Sequence, residues 1–221
     1  MTKEKHRSAA GAVTRAQILR AALKLFANNG YAATSIQHIV SDAKVSKPAL
    51  YYHFRDKADL FAALVNEALD ERYDIMRHAA ASATDIRGQL TAVLDALFSY
   101  FIKNRDLTRL AFTMAFAAPG EVPRDVIYLD KCRRNLNLIH TLVKDAVARG
   151  ELDRRFNSEE LAYGFSGQAN FYILSHLKML DFRLDRSAAA RIVDLYLAGA
   201  AGKKTKRQDM ALTDTLQPQS K

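Results

Sequence analysis

Apolar residues recur at steps of three and four through almost the whole chain, and nowhere do they alternate with polar ones over a strand's length. That spacing builds a core from helix faces and leaves no segment suited to a half-buried sheet. The expected fold class is all-α, with about nine helices joined by short connections. No apolar run approaches the roughly 18–20 residues a membrane span requires, so the chain is read as cytoplasmic, with no membrane partner. Its 221 residues suffice for one large domain or two small ones.

End signals divide the pattern. The first helix is expected over 14–28, with Ile18, Ala22, Leu25 and Phe26 inward and Gly30 as its stop. The second opens at Thr34, where Thr34-Ser35-Ile36-Gln37 has the form of a capping box, and ends near Ala43. After a turn through Lys44 and Val45, the third starts at Ser46 or Lys47. Pro48 is permitted in its first turn, where no N–H need be donated. Asp56 caps a fourth helix running to about His78. Later helices are expected over 85–104, 106–117, 124–149, 157–180 and 185–200. Residues 1–10 are read as a disordered basic arm, 11–57 as one module, 58–201 as a second helical domain and 202–221 as a disordered tail.

Charge separates the same regions. Residues 1–57 hold ten Lys/Arg against three Asp/Glu, 58–202 hold eighteen against nineteen, and 203–221 hold five against two. The excess of positive charge therefore belongs to one small module, the footprint of a polyanion binder. A solvated basic face would give the same count.

The segment 34–57, TSIQHIVSDAKVSKPALYYHFRDK, decides between them. Two short helices flank a tight turn. Ile36, Ile39, Val40, Val45 and Leu50 are apolar anchors that would hold the pair at a steep angle against the first helix, the geometry of a helix-turn-helix. Lys47, Pro48, Ala49, Tyr51, Tyr52 and His53 are left to face outward. Small residues at 48 and 49 allow close approach to base edges, and Ala49 can touch a thymine methyl. Lys47 can reach guanine acceptors or a phosphate. Tyrosine hydroxyls and a histidine N–H suit phosphates. Lys57 opens the next helix, where an anion is also favoured. Phe54 reads as core, while two adjacent tyrosines cannot both face one core.

These residues carry a resemblance. Gly30-Tyr31, Thr34-Ser35-Ile36, Val45-Ser46, Leu50-Tyr51-Tyr52-His53-Phe54 and Lys57 resemble the DNA-binding domain of the tetracycline-repressor (TetR) family over about a quarter of the chain. The resemblance implies phosphate or base contacts from Thr34, Ser35 and Gln37. It places Lys47, Pro48 and Ala49 at the groove floor and a backbone clamp at Tyr51, Tyr52, His53 and Lys57, with Ser46 and Lys44 beside them. Two positions depart from the family's habit: Lys44 stands where glycine is usual in the turn, and Pro48 where glycine is frequent. A lysine held at positive φ there would cost about 1 kcal/mol.

The resemblance also implies that the C-terminal domain binds a small organic effector and forms a homodimer. Met76, Tyr100, Phe101, Asn104, Phe112, Asn135, His140, Asn170, Phe171 and His176 are the expected ligand-binding set, apolar with a few polar handles. Met114 and Phe116 sit in a uniformly apolar helix and read more simply as core. Gly164 and Gly167 on one helix and Ile192, Val193 and Tyr196 on the last are the expected dimer seam, where small residues allow close packing. Packing within one subunit would use the same residues.

Catalytic signatures are missing. Gly164-Phe165-Ser166-Gly167 lacks the second glycine and preceding strand of a nucleophile elbow, and no phosphate loop or His-x-x-x-His pair occurs. Cys132, the one cysteine, excludes an intramolecular disulfide and a cysteine-based zinc site. Neither a cofactor nor a metal is expected. The functional expectation is a ligand-released repressor on a palindromic double-stranded DNA operator. The alternatives are an architectural DNA binder of the same fold without effector, and a helical-bundle enzyme.

Overall fold

A computed structural model describes residues 2–118, 120–123, 126–178 and 183–200. The described residues form helices only: α1 (Thr2–Ala33), α2 (Ile36–Ala43), α3 (Lys47–His53), α4 (Lys57–Ala80), α5 (Ile86–Lys103), α6 (Arg105–Phe116), α7 (Val126–Arg149), α8 (Ser158–Lys178) and α9 (Arg186–Ala200). The all-α expectation is met, and the helix ends follow the local chemistry. Ser46, Asp56 and Asp85 accept from the backbone N–H three residues on, each closing a first turn.

Three boundaries differ from expectation. α1 already begins at Thr2, where a disordered arm was expected; Lys, Glu and Ala before Gly11 are good helix formers, with no proline to interrupt them. At the other end Gly30 breaks the helix at φ 80°, and the chain bends there before its last turn. The capping box expected from Thr34 is displaced by one residue. Ser35 is the cap, accepting from His38 N at 3.2 Å. Thr34 turns inward, is 1 % exposed, and donates its hydroxyl to Gly30 O at 2.8 Å and Leu25 O at 3.3 Å. The expected tail, 202–221, and the last two residues expected in the helix over 157–180 lie outside the described residues.

Two apolar clusters organise the molecule. The first gathers Ile18, Ala22 and Phe26 of α1, Ile39 and Val40 of α2, Leu50 of α3, and Leu60, Phe61, Leu64 and Val65 of α4. Phe26, Tyr31 and Phe61 pack ring on ring there, with centroids 5.0–5.7 Å apart. This core runs past the boundary expected at residue 57, because the first two turns of α4 belong to it. Leu110 and Met114 of α6 complete it from the other side.

The second cluster joins the rest of α4 to α5, α7, α8 and α9, with Leu90, Leu94, Phe98, Val143, Phe165 and Val193 among its buried members. Polar ties fix its outer layer. Asp70 of α4 accepts from Lys131 at 2.5 Å and Arg134 at 2.7 Å of α7, which hold its carboxyl below the ordinary range, Lys131 first. Arg87 of α5 clasps Asp194 of α9 with two bonds, at 2.6 and 2.9 Å. No described helix is long and apolar enough to cross a membrane.

Candidate nucleic-acid interface and effector cavity

The turn between α2 and α3 rests on Lys44. Its backbone lies in the left-handed region at φ 55°, ψ 43°, and its N–H donates back to Ser41 O, while Val45 N–H donates to Val40 O at 3.0 Å. This is the glycine-type helix end, executed here by lysine at a strain of about 1 kcal/mol. α3 follows, with Leu50 and Phe54 buried beneath it. Lys47, Pro48 and Tyr51 are exposed, Ala49 and His53 are half-buried, and Tyr52 is 81 % exposed with its ring edge against His53. Ser35, Gln37, Lys44 and Ser46 are also exposed. All these side chains belong to α2, α3 and the turns at their starts.

Two residues assigned to DNA contacts do not stand free for them. Thr34 is buried and its hydroxyl is spent, so a phosphate contact from it is ruled out by packing. Lys57 points inward. Its Nζ donates to Tyr31 O and Thr34 O at 2.9 Å each and to Ala32 O at 3.5 Å, and lies 4.2 Å from the centre of the Tyr31 ring. Those carbonyls lie where α1 bends and ends, Tyr31 O accepting from Thr34 N as well, so the ammonium ties the fold together there instead of standing free for a phosphate. Sequence reasoning passed over two others. His38 on α2 and Arg55 just beyond α3 are exposed. His38 could have been found from position alone, since it follows Gln37 on the side of α2 opposite Ile36, Ile39 and Val40.

Between the two cores lies a cavity of about 210 Å³ bounded by α4, α5, α6 and α7. A second, of about 310 Å³, continues between α4, α7 and α8. Arg72, Cys132 and Asn170 line both. Of the expected ligand residues, Tyr100, Phe101, Phe112 and Asn170 line the first, and Met76, Asn135 and Asn170 the second. Burial pushes the Tyr100 hydroxyl up, and it donates to Glu71 Oε2 at 3.2 Å. Asn135 donates to Leu69 O and Lys131 O, and its own Oδ1 is buried without a donor.

The others fall elsewhere. Asn104 joins α5 to α6 and spends its amide on Tyr100 O at 2.9 Å. His140 ties α7 to the start of α8 through Ser158 Oγ at 3.0 Å. His176 lies outside both linings. Phe171 is 68 % exposed on the outer face of α8, and Phe116 is 79 % exposed at the end of α6, so neither is core and neither lines these two cavities; Phe116 borders a separate groove with Phe112 and Leu174. Met114 is both: it is buried in the N-terminal core and lines the first cavity, as does Leu110.

Of the residues expected in a dimer seam, three pack within their own subunit. Ile192 and Val193 are buried in their own subunit. Tyr196 packs edge-on against Phe165 and donates to Leu161 O at 2.9 Å, and burial pushes its hydroxyl up to about 12. Gly164 and Gly167 do face outward.

A three-helix head with an outward-facing α3 is thus carried on a helical body that lines a cavity. Residues 18–64 match the family described as bacterial regulatory proteins, tetR family. The transcriptional activator FasR of Mycolicibacterium smegmatis is 33 % identical over 112 residues, 51 % of each chain. The chain thus matches about half the length of that relative. The transcriptional regulator HbdR of Aromatoleum is 28 % identical over 76 % of this chain and 72 % of its own. The fold is shared with FadR of Bacillus subtilis, solved in complex with stearoyl-CoA, at a TM-score of 0.73 and 17 % identity over 83 % of this chain and 97 % of that one. The named relatives are transcriptional regulators, which accords with the reading as a non-enzyme.

Proposed function

We propose that this chain is a cytoplasmic, ligand-released repressor that binds a palindromic DNA operator as a homodimer. The observation that carries the reading is α3. Buried Leu50 and Phe54 lock it down, while Lys47, Pro48, Tyr51 and Tyr52 are left to an outside partner. A helix so placed can enter a major groove, with its first residues at base edges and its tyrosines at phosphates. The basic excess of residues 1–57 supports a polyanionic partner.

The dimer surface is read on the outer faces of α8 and α9. Tyr163, Gly167 and Phe171 follow one another at four-residue steps on α8, and Leu195 and Gly199 stand out on α9. A Cβ added at Gly167 or Gly199 would meet nothing within 4 Å, so packing inside one subunit gives no reason for glycine there. Close approach of a second copy would. Repression is the reading because occupancy of DNA alone suffices for it, whereas activation needs a further protein contact.

An effector reading is supported by the cavity and by Leu110 and Met114, which belong to its wall and to the core of the DNA-binding head. A ligand that prefers one spacing of the two heads would shift the population away from the DNA-bound form. The FadR neighbour, solved with stearoyl-CoA, supports a small-molecule site in this fold.

Selection of bound duplexes from a random pool tests the reading. A two-fold symmetric site with half-sites about one helical turn apart is expected, with affinity falling steeply as salt rises. Tyr52→Ala should weaken binding to all sequences alike, and Lys47→Ala should also change the preferred sequence. Binding with no sequence preference would replace this reading with an architectural DNA binder.

A further inference from the structure

α4 carries an arginine into the apolar interior. Arg72 follows Val65 and Leu69 and precedes Met76 on one stripe of the helix, and all four line a cavity. Its Nε is closed to solvent and donates to nothing. Among the described residues its guanidinium makes no hydrogen bond and no ion pair. Its electrostatic neighbours are Cys132, Tyr100 and Tyr128, none of them a carboxylate. Of the described residues lining the two cavities, Arg72 alone carries a charge. A guanidinium stays protonated even where burial opposes it.

Arg72 is half-buried, with its Nε shut off from water, and a partly desolvated, unpaired charge is costly; the usual remedy is a counter-charge with good geometry. This chain supplies none there. The walls that flank Arg72 are instead Val65, Leu69, Phe101, Leu107 and Leu110 on one side and Met76, Leu97 and Ile139 on the other. Asn170, shared by both cavities, adds an amide donor to the same lining.

Resting on the effector reading above, we propose that the effector is an apolar monoanion whose carboxylate pairs with Arg72 and whose body fills the adjoining cavity. The planar fork of one guanidinium matches one carboxylate. A dianionic phosphate would leave a second charge without a partner between the same apolar walls.

Calorimetric titration of the full chain with decanoate, decanol and decyl phosphate tests this. Decanoate should bind at least about tenfold tighter than decanol, the difference one charge-assisted contact makes. Decyl phosphate should bind more weakly than decanoate. In Arg72→Met the acid and the alcohol should bind alike, near the wild-type affinity for decanol, while Arg72→Lys should retain part of the preference. Equal binding of acid and alcohol by the wild type would overturn the anion and leave the effector reading standing. So would an undiminished preference in folded, DNA-binding Arg72→Met. Tighter binding of decyl phosphate than decanoate would overturn the single charge. Uptake of none of the three by protein that still shifts its operator would count against both readings.

Discussion

Lys57 and Arg72 lie on the same helix, about four turns apart, and both point inward. Lys57 meets three carbonyls and a ring face where α1 ends. Arg72 meets apolar walls and no counter-charge among the described residues. The first region is complete as it stands: its cation meets acceptors where α1 bends at Gly30 and ends. The second holds a donor fork without an acceptor. A buried cation can thus finish a fold or wait for a partner, and only its surroundings say which.

The largest test is at the finished site. Lys57→Met should lower stability by about 2–3 kcal/mol, since three carbonyls lose a charged donor together. For a chain of this size the midpoint of thermal unfolding should fall by roughly 5–10 °C. The preferred DNA sequence should be unchanged in the folded fraction. A stable variant with selectively weakened DNA binding would return Lys57 to the phosphate contacts and erase the contrast.

The opposite sign is expected at the unfinished site. Arg72→Met removes an unpaired, half-buried charge and keeps the bulk, so the ligand-free protein should gain stability, by at most about 1 kcal/mol. A thermal melt without ligand reads this. A loss of similar size would mean that the guanidinium already has a partner.

Lys44 supplies a third case, a cation that faces out from a strained backbone. Lys44→Gly relieves the left-handed conformation but adds freedom to the unfolded chain, so stability should move by no more than about 0.5 kcal/mol. DNA affinity should still drop, and its salt slope should fall by about 1 if Lys44 meets a phosphate. An unchanged slope would place its charge away from the DNA.

The smallest effect concerns Asp70, an anion that α7 has paired. Its carboxyl is held below the ordinary range by Lys131 and then Arg134. The stabilisation is therefore present above the unfolded value, about 3.9, and is lost as pH falls through the lower folded value. Asp70→Asn should flatten the loss of melting temperature below about pH 4 and leave little difference in slope above it. Melts from pH 2.5 to 7 check this.

The helices were legible because their ends are written locally. Ser46, Pro48, Asp56 and Asp85 each settle a first turn from within four residues. Gly30 was legible as a stop for the same reason. Where two neighbours could do one task, the text was ambiguous: Thr34 and Ser35 both cap well, and burial by Leu25 and Gly30 decided between them. Lys57 was misread because its acceptors lie some 23–26 residues away in the chain. Ile192 and Val193 were read as a seam because an apolar face does not say whether its cover is its own chain or another.

The cavity was legible in kind, through Tyr100, Phe101 and Phe112, but the one charge among its described lining residues was not. Arg72 occupies a place in a stripe of Val65, Leu69 and Met76 where a leucine would be ordinary. That interruption of an apolar face is the signal that could have found it.

Leu110 and Met114 carry a consequence for how such a protein can diverge. Each serves as a wall toward the cavity and as filling beneath the DNA-binding head. A descendant that alters either one to admit a new ligand also alters the packing of the head. Taste for ligands and firmness on DNA are therefore inherited together at these two positions. On the proposed reading, variants with an altered ligand response should accumulate at these two positions before they appear on α3.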